Sequence, residues 1–172
     1  MEKKDKYKHI THESIPPFIN HDSKVLILGS FPSIKSREDG FFYAHPRNRF
    51  FKTLSALFNE EEPIGVSKRK EFLIKHNIAL YDVIYECDII ASSDASIKNA
   101  VPIDLEGLLK EYPSIKCIAL NGGKAKELFN KYLLPKIKNK VEIIYLSSTS
   151  PLNARMKDID LINEYKSKLN IF

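Results

Sequence analysis

The sequence predicts an α/β protein, a three-layer α/β/α sandwich around a central four-stranded parallel sheet, on three observations. Four short, β-branched apolar runs recur along the chain, segments of helical periodicity separate them, and each run ends in a loop rich in Gly, Ser, Asn or Pro. Strands that alternate with helices need crossover connections, which put helices on both faces of a parallel sheet.

The strands are read at residues 24–28 (KVLIL), 78–84 (IALYDVI), 115–120 (IKCIAL) and 141–146 (VEIIYL). A helix is expected where Phe50, Phe51, Leu54, Leu57 and Phe58 fall on one stripe, with Pro46 at its first position and Asn48 in its first turn. Residues 59–70 (NEEEPIGVSKRK) read as a solvated connection punctuated by Pro and Gly. Ala125, Leu128, Phe129 and Tyr132 mark another helix, and Met156, Ile159, Ile162, Tyr165 and Leu169 the last one. No repeat or linker divides the chain, so a single domain over residues 1–172 is expected.

Composition narrows the class. With 43% hydrophobic residues the chain is an ordinary globular one, and no apolar run nears the roughly 20 residues of a membrane-spanning helix, so no membrane partner is expected. The charged opening MEKKDKYKHITHE lacks the apolar stretch of a secretory signal, which predicts a cytoplasmic protein. Cys87 and Cys117 lie far apart, as two reduced thiols would, and are too few for a four-cysteine zinc or iron-sulfur site. No metal and no cofactor are expected, and a monomer is. Lys and Arg outnumber Asp and Glu by 27 to 22, a net charge of +5. That balance suits a polyanionic partner and equally a lysine-rich solvated surface.

In open α/β sheets ligands bind beyond the carboxyl ends of the strands. The loops there are GSFPS after the first strand, YECDIIASSDASIKN after the second, NGGK after the third and SSTSPLNAR after the fourth. Gly29 permits a sharp turn and Pro32 stiffens its exit. Neither this loop nor Gly122-Gly123-Lys124 has the spacing of a dinucleotide or P-loop phosphate site. Asn48 offers an amide that holds a water or a base edge, or else caps its helix.

GSFPS followed by FFYAHPRNRFF closely resembles the first motif of the uracil-DNA glycosylase superfamily, in particular its hypoxanthine-DNA (deoxyinosine) glycosylase family, and more distantly the mismatch-specific uracil and thymine-DNA glycosylases. IALYDVIYECDIIASSDASIKNAVPIDLEGLL resembles the middle segment of that family, IALNGGKA its third-strand segment, and LSSTSPLNAR its second motif. Ordered matches over most of the chain carry more weight than one short motif.

The resemblance implies a monofunctional DNA glycosylase that flips a deaminated base, hypoxanthine or uracil, out of DNA and hydrolyses its N-glycosidic bond in base excision repair. The implied partner is DNA containing deaminated bases. Tyr43 matches the stacking aromatic, with Phe42 beside it, and Asn121 the residue that reads the base edge; Gly29, Ser30 and Phe31 complete the base site. Many superfamily members carry Asp or Asn where Phe31 stands, and Phe31 cannot activate water. In the hypoxanthine-glycosylase family the Asn of the H-P-x-N segment is the catalytically important residue, and that resemblance gives the role to Asn48, a neutral amide that orients water without taking its proton. Ser148, Thr149, Ser150, Pro151, Leu152, Asn153 and Arg155 resemble the DNA-binding intercalation loop, with Leu152 as the wedge. Ser148 stands near the His of the best-known uracil enzymes.

Asp82, Asp94 and His45 are further acid or base candidates, each also explained as a turn or cap residue. Ser30, Ser33 and Ser36 could add phosphate contacts. No lysine stands in a recognisable Schiff-base position, so simple hydrolysis is expected. Two other readings stay open: a catalytically weak, nucleic-acid-binding member of the same superfamily, and a small-molecule hydrolase on the same framework.

Overall fold

The structure, a computed structural model, describes residues 6–169. The expected central sheet is present: β2 (Val25–Gly29), β3 (Ile78–Asp82), β6 (Cys117–Asn121) and β7 (Glu142–Leu146) run parallel in the order β3-β2-β6-β7. Every residue of β2, β3 and β6 is buried. Helices cover both faces, which is why these strands read as unbroken apolar runs instead of alternating ones. The registers pair Gly29 with Asp82 and Asn121 with Leu146, so the carboxyl ends of all four strands finish at one level.

Among the described residues six α-helices accompany this sheet: α1 (Ile34–Asp39), α2 (Phe50–Leu57), α3 (Val66–Lys75), α4 (Leu105–Glu111), α5 (Gly123–Tyr132) and α6 (Asp158–Lys168). The amphipathic face of α2 buries Phe50, Phe51 and Leu54, and that of α5 buries Ala125, Leu128 and Phe129. Both stripes match the sequence periodicity, and α2 packs against α6.

Four expectations need correction. The run 78–84 is not one strand: β3 stops at Asp82, where the Val83 N–H donates to the Gly29 carbonyl (2.8 Å), and β4 (Ile84–Ile89) leaves for a second sheet. That sheet, antiparallel and ordered β1-β4-β5, adds β1 (Lys8–Thr11) and β5 (Lys98–Pro102), so the segment after Asp82 is largely strand. Residues 59–70 are not all connection, because α3 begins within them; it buries only Phe72 and Leu73. The first helix after the HPRN turn starts at Phe50 and not at Pro46, leaving Asn48 outside it. In α6 the buried residues are Leu161 and Tyr165, with Leu169 following, while Ile159 is 58% exposed. Two residues along a helix turn the chain by about 200°, so Ile159 and Leu161 cannot share a face.

Cys87 and Cys117 are free and buried. Burial pushes their thiols up to about 11 and about 12, which leaves them protonated and unreactive. Among the described residues no helix is long and apolar enough to cross a membrane.

Candidate active site

The carboxyl ends of the parallel strands open into a cleft of about 610 Å³. Asn121 lies on its floor at the end of β6, Lys124 rises from the first turn of α5, and Ser148, Leu152 and Arg155 come from the segment after β7. Asp94, from the turn between β4 and β5, completes the wall. Ser150 and Asn153 line the same cleft. Gly122, just ahead of α5, sits at φ 101°, and a side chain there would press on the Cβ of Ser148 at 3.0 Å; only glycine meets both conditions.

Asn121 is fixed before any ligand arrives. Its Nδ2 donates to Thr149 Oγ1 (3.1 Å), and its Oδ1 accepts from the Thr149 N–H (3.2 Å). Thr149 is completely buried, so its hydroxyl serves this amide and does not face a phosphate. The two bonds use one N–H and one lone pair of the Asn121 amide and leave another of each. Leu152, by contrast, is 91% exposed at the rim. The loop that carries it is folded on itself: the Ser150 N–H donates to Ser148 Oγ, the Leu152 N–H to Ser150 Oγ, and Asn153 Nδ2 to the Ser148 carbonyl (2.9 Å).

Behind the floor, Gly29 faces Asp82. A side chain on Gly29 would collide with Asp82 Oδ1 and come within 3.5 Å of the Tyr43 hydroxyl, so glycine is required here by space and not by a left-handed backbone. Tyr43 itself sits at φ 52° and lays its ring on Phe50, with centroids 3.9 Å apart. Its hydroxyl is buried beside the Asn121 amide without a hydrogen bond of good geometry; burial and the nearby Asp82 charge raise its pKa well above the ordinary value, against a smaller lowering by Asn121.

Asp82 is in turn held by a residue that the sequence did not single out. His12, from the turn after β1, directs Nε2 to Asp82 Oδ2 (2.7 Å) and Nδ1 to the Ile15 carbonyl (2.6 Å). A carbonyl only accepts, so Nδ1 carries hydrogen. Burial works against charging this imidazole, but the hydrogen bond and charge of Asp82 outweigh it and leave the His12 pKa raised. Phe31, Phe42 and Tyr81 surround the ring with centroids 6.1, 6.0 and 4.7 Å away. Phe31 and Phe42 are thus buried as walls of this pair.

The remaining candidates are engaged locally. Asn48 Oδ1 accepts from the Phe50 N–H (3.0 Å), which caps the front of α2, and His45 Nδ1 accepts from the Arg47 N–H (3.1 Å). Asn48 does not line the cleft. Its neighbour Arg49 reaches the cleft loop, donating its N–H to the Thr149 carbonyl (3.0 Å) and its guanidinium to the carbonyls of Asn153 and Met156. Ser33 caps α1, Ser36 accepts from the Ala44 N–H, and Ser30 Oγ donates to Asp94 Oδ1 (2.8 Å). The cleft therefore gathers Asn121, Ser148, Ser150, Leu152, Asn153 and Arg155, while Gly29, Ser30, Phe31, Tyr43, Thr149 and Pro151 do not line it. His12 lies outside every motif, and Arg49 and Lys124 stand inside FFYAHPRNRFF and IALNGGKA without a role assigned to them. Among the described residues no cluster of His, Cys, Asp or Glu could hold a metal ion.

A parallel sheet whose strand ends open into a polar cleft, rimmed by one exposed apolar side chain and by basic groups, defines a three-layer α/β protein with a strand-end ligand site. Residues 16–170 match the family model described as the uracil DNA glycosylase superfamily, and the chain belongs to that superfamily. It is similar to a protein of Methanosarcina barkeri named hypoxanthine DNA glycosylase, with 32% identity over 67% of this chain and 73% of the relative. A protein of the same name from Methanosarcina acetivorans is 31% identical over 65% of this chain and 72% of its own length. The fold matches a solution NMR structure from Methanosarcina acetivorans, provisionally described as a uracil DNA glycosylase. The TM-score is 0.76 at 27% identity, covering 89% of this chain and 92% of that one.

Proposed function

We propose that this chain is a monofunctional DNA glycosylase that takes an extruded deaminated base, hypoxanthine foremost, into the strand-end cleft and hydrolyses its N-glycosidic bond. The observation that carries this reading is the Asn121 amide, oriented from behind by Thr149 and turned to the cleft beneath the exposed Leu152. The N–H that Thr149 leaves free on this amide donates to a ring carbonyl, which hypoxanthine and uracil carry and adenine lacks. A carbonyl edge of this kind, beside a ring N–H, tells hypoxanthine and uracil from adenine and cytosine, the bases they derive from, while guanine and thymine present it too, and the names of the Methanosarcina relatives favour hypoxanthine. Leu152 is the wedge that fills the vacated stack, Ser148, Ser150 and Arg155 contact phosphates, and Tyr43, backed by Phe50, is the stacking surface. Asn48 orients the attacking water through its amide.

The test is excision from duplexes carrying deoxyinosine, deoxyuridine or a G·T mismatch, read as alkali-labile sites. Deoxyinosine is expected to be cut fastest, and Asn48→Ala to slow the cut by roughly 10²-fold or more while duplex binding persists. Cleavage of none of the three would refute the glycosylase reading; binding without cleavage would leave a nucleic-acid-binding member of the superfamily.

A further inference from the structure

We propose that Asp94 is the general base of this site, taking a proton from the water that attacks C1′ of the lesion nucleotide. The inference rests on the glycosylase reading and adds to it the group that the reading lacks. Hydrolysis by water requires its proton to go somewhere, and the amide of Asn48 cannot accept it at neutral pH. Of the described residues that line the cleft, Asp94 is the sole carboxylate.

Its placement is built and not incidental. Ser30, in the turn directly after β2, donates its hydroxyl to Asp94 Oδ1 (2.8 Å), which ties the β4–β5 turn to the end of the first parallel strand. That turn is itself closed by Ser96, whose Oγ donates to the Ser93 carbonyl (2.7 Å) and accepts from the Ile90 N–H (2.8 Å). No described residue donates a hydrogen bond to Oδ2, which leaves that oxygen to the cleft. Phe31, the residue after Ser30, is turned into the core against His12, so the loop that could have presented its own acid side chain instead recruits one from another element.

The step balances without a co-reactant beyond water. A water O–H bond breaks, its proton passes to Oδ2 of Asp94, and the oxygen bonds to C1′. The C1′–N9 bond breaks with its electron pair leaving on the purine, and the Asp94 proton is then released to the departing base or to solvent. The groups that face Asp94 set its basicity. Burial raises its pKa, the Ser30 hydroxyl lowers it, the Asp82 charge raises it and Lys124 lowers it; the Cys87 thiol, also nearby, stays neutral. The net shift is upward, which makes it a better proton acceptor than a free aspartate.

Single-turnover excision of hypoxanthine, measured against pH beside duplex binding and thermal melting, tests the proposal. Asp94→Asn, nearly isosteric, is expected to lose on the order of 10²- to 10⁴-fold in rate with binding and melting retained, and to lose the acid limb of the rate profile. Ser30→Ala, which keeps the carboxylate but removes a bond that lowers its pKa, is expected to lose about 2- to 10-fold and to move the acid limb to higher pH. Should Asp94→Asn fail to fold, the position of the limb in Ser30→Ala decides: a merely structural Asp94 leaves it where it is in the native enzyme. Full activity of Asp94→Asn would overturn this inference and leave the glycosylase reading standing. A native chain that cuts none of the three lesion duplexes would bring down both.

Discussion

His12 and Asp82 form a pair that neither residue announces in the sequence. They lie 70 positions apart, His12 in a polar N-terminal stretch and Asp82 where a strand ends. A lone Asp after a strand is compatible with any turn, and only the fold, by bringing the end of β1 under the end of β3, gives it a partner. Asn121 was legible because a motif marks it, but its bonds to Thr149 were not, since a hydroxyl in a Ser/Thr-rich loop suggests phosphate contact as readily as an inward bond. The pair is the more consequential case. Both side chains are nearly solvent-free, so replacing His12 by Gln deprives a buried carboxylate of its cationic partner and is expected to cost about 3–5 kcal/mol. Because the folded pKa of His12 is raised above its unfolded value of about 6.5, its contribution is complete below that pH and is lost as pH rises through the folded pKa. Melting curves of the native chain and His12→Gln between about pH 5 and pH 9 should differ most at the acid end. A gap that is constant across that range, or widest at the alkaline end, would mean that the imidazolium is not what stabilises the site.

Among elements, β2, β3 and β6 were readable because burial on both faces forces apolar residues into consecutive positions, and the edge strand β7, only partly buried, because its run EIIYL is still mostly apolar. The second sheet was not. β1 (KHIT) and β5 (KNAVP) are largely exposed, and β4 changes register twice against β5, so no simple alternation survives in the sequence. These strands exist through pairing and not through composition. Helix α3 was hidden for a related reason: in VSKRKEFLIK only Phe72 and Leu73 are buried, and its polar start reads as linker. The placement of the cleft loop depends on a similar long-range tie. Arg49, just ahead of α2, bonds the Thr149 carbonyl with its backbone N–H and the Asn153 and Met156 carbonyls with its guanidinium, which also pairs with Asp158 at the start of α6 (3.3 Å), so one residue joins two helices to the loop between β7 and α6. Arg49→Ala is expected to cost about 1–3 kcal/mol and to speed amide exchange in residues 149–156 while β2 and β6 stay protected. Unchanged exchange in that loop would show that its internal bonds, from Ser148 to Asn153, suffice to hold it.

At the scale of the whole molecule, the net charge of +5 and the geometry of the cleft make separable contributions to DNA binding. Charge acts on every duplex alike, by releasing counterions from phosphates, and its signature is a fall in affinity with salt. The wedge acts only where a nucleotide has left the stack. Arg155 and Leu152 allow the two to be told apart, since both line the cleft and both are solvent-exposed. Arg155→Ala should weaken binding to lesion-bearing and undamaged duplexes equally and reduce the slope of log affinity against log salt by about one. Leu152→Ala should leave that slope intact, and with it binding to undamaged DNA, while lowering affinity for the lesion duplex. Fluorescence anisotropy over a salt series provides all four curves. If Arg155→Ala proved lesion-selective, the guanidinium would be reading the extruded nucleotide and not the backbone. If Leu152→Ala weakened both duplexes together, the exposed leucine would be a general contact, and the opening of the stack would have to be assigned to another residue.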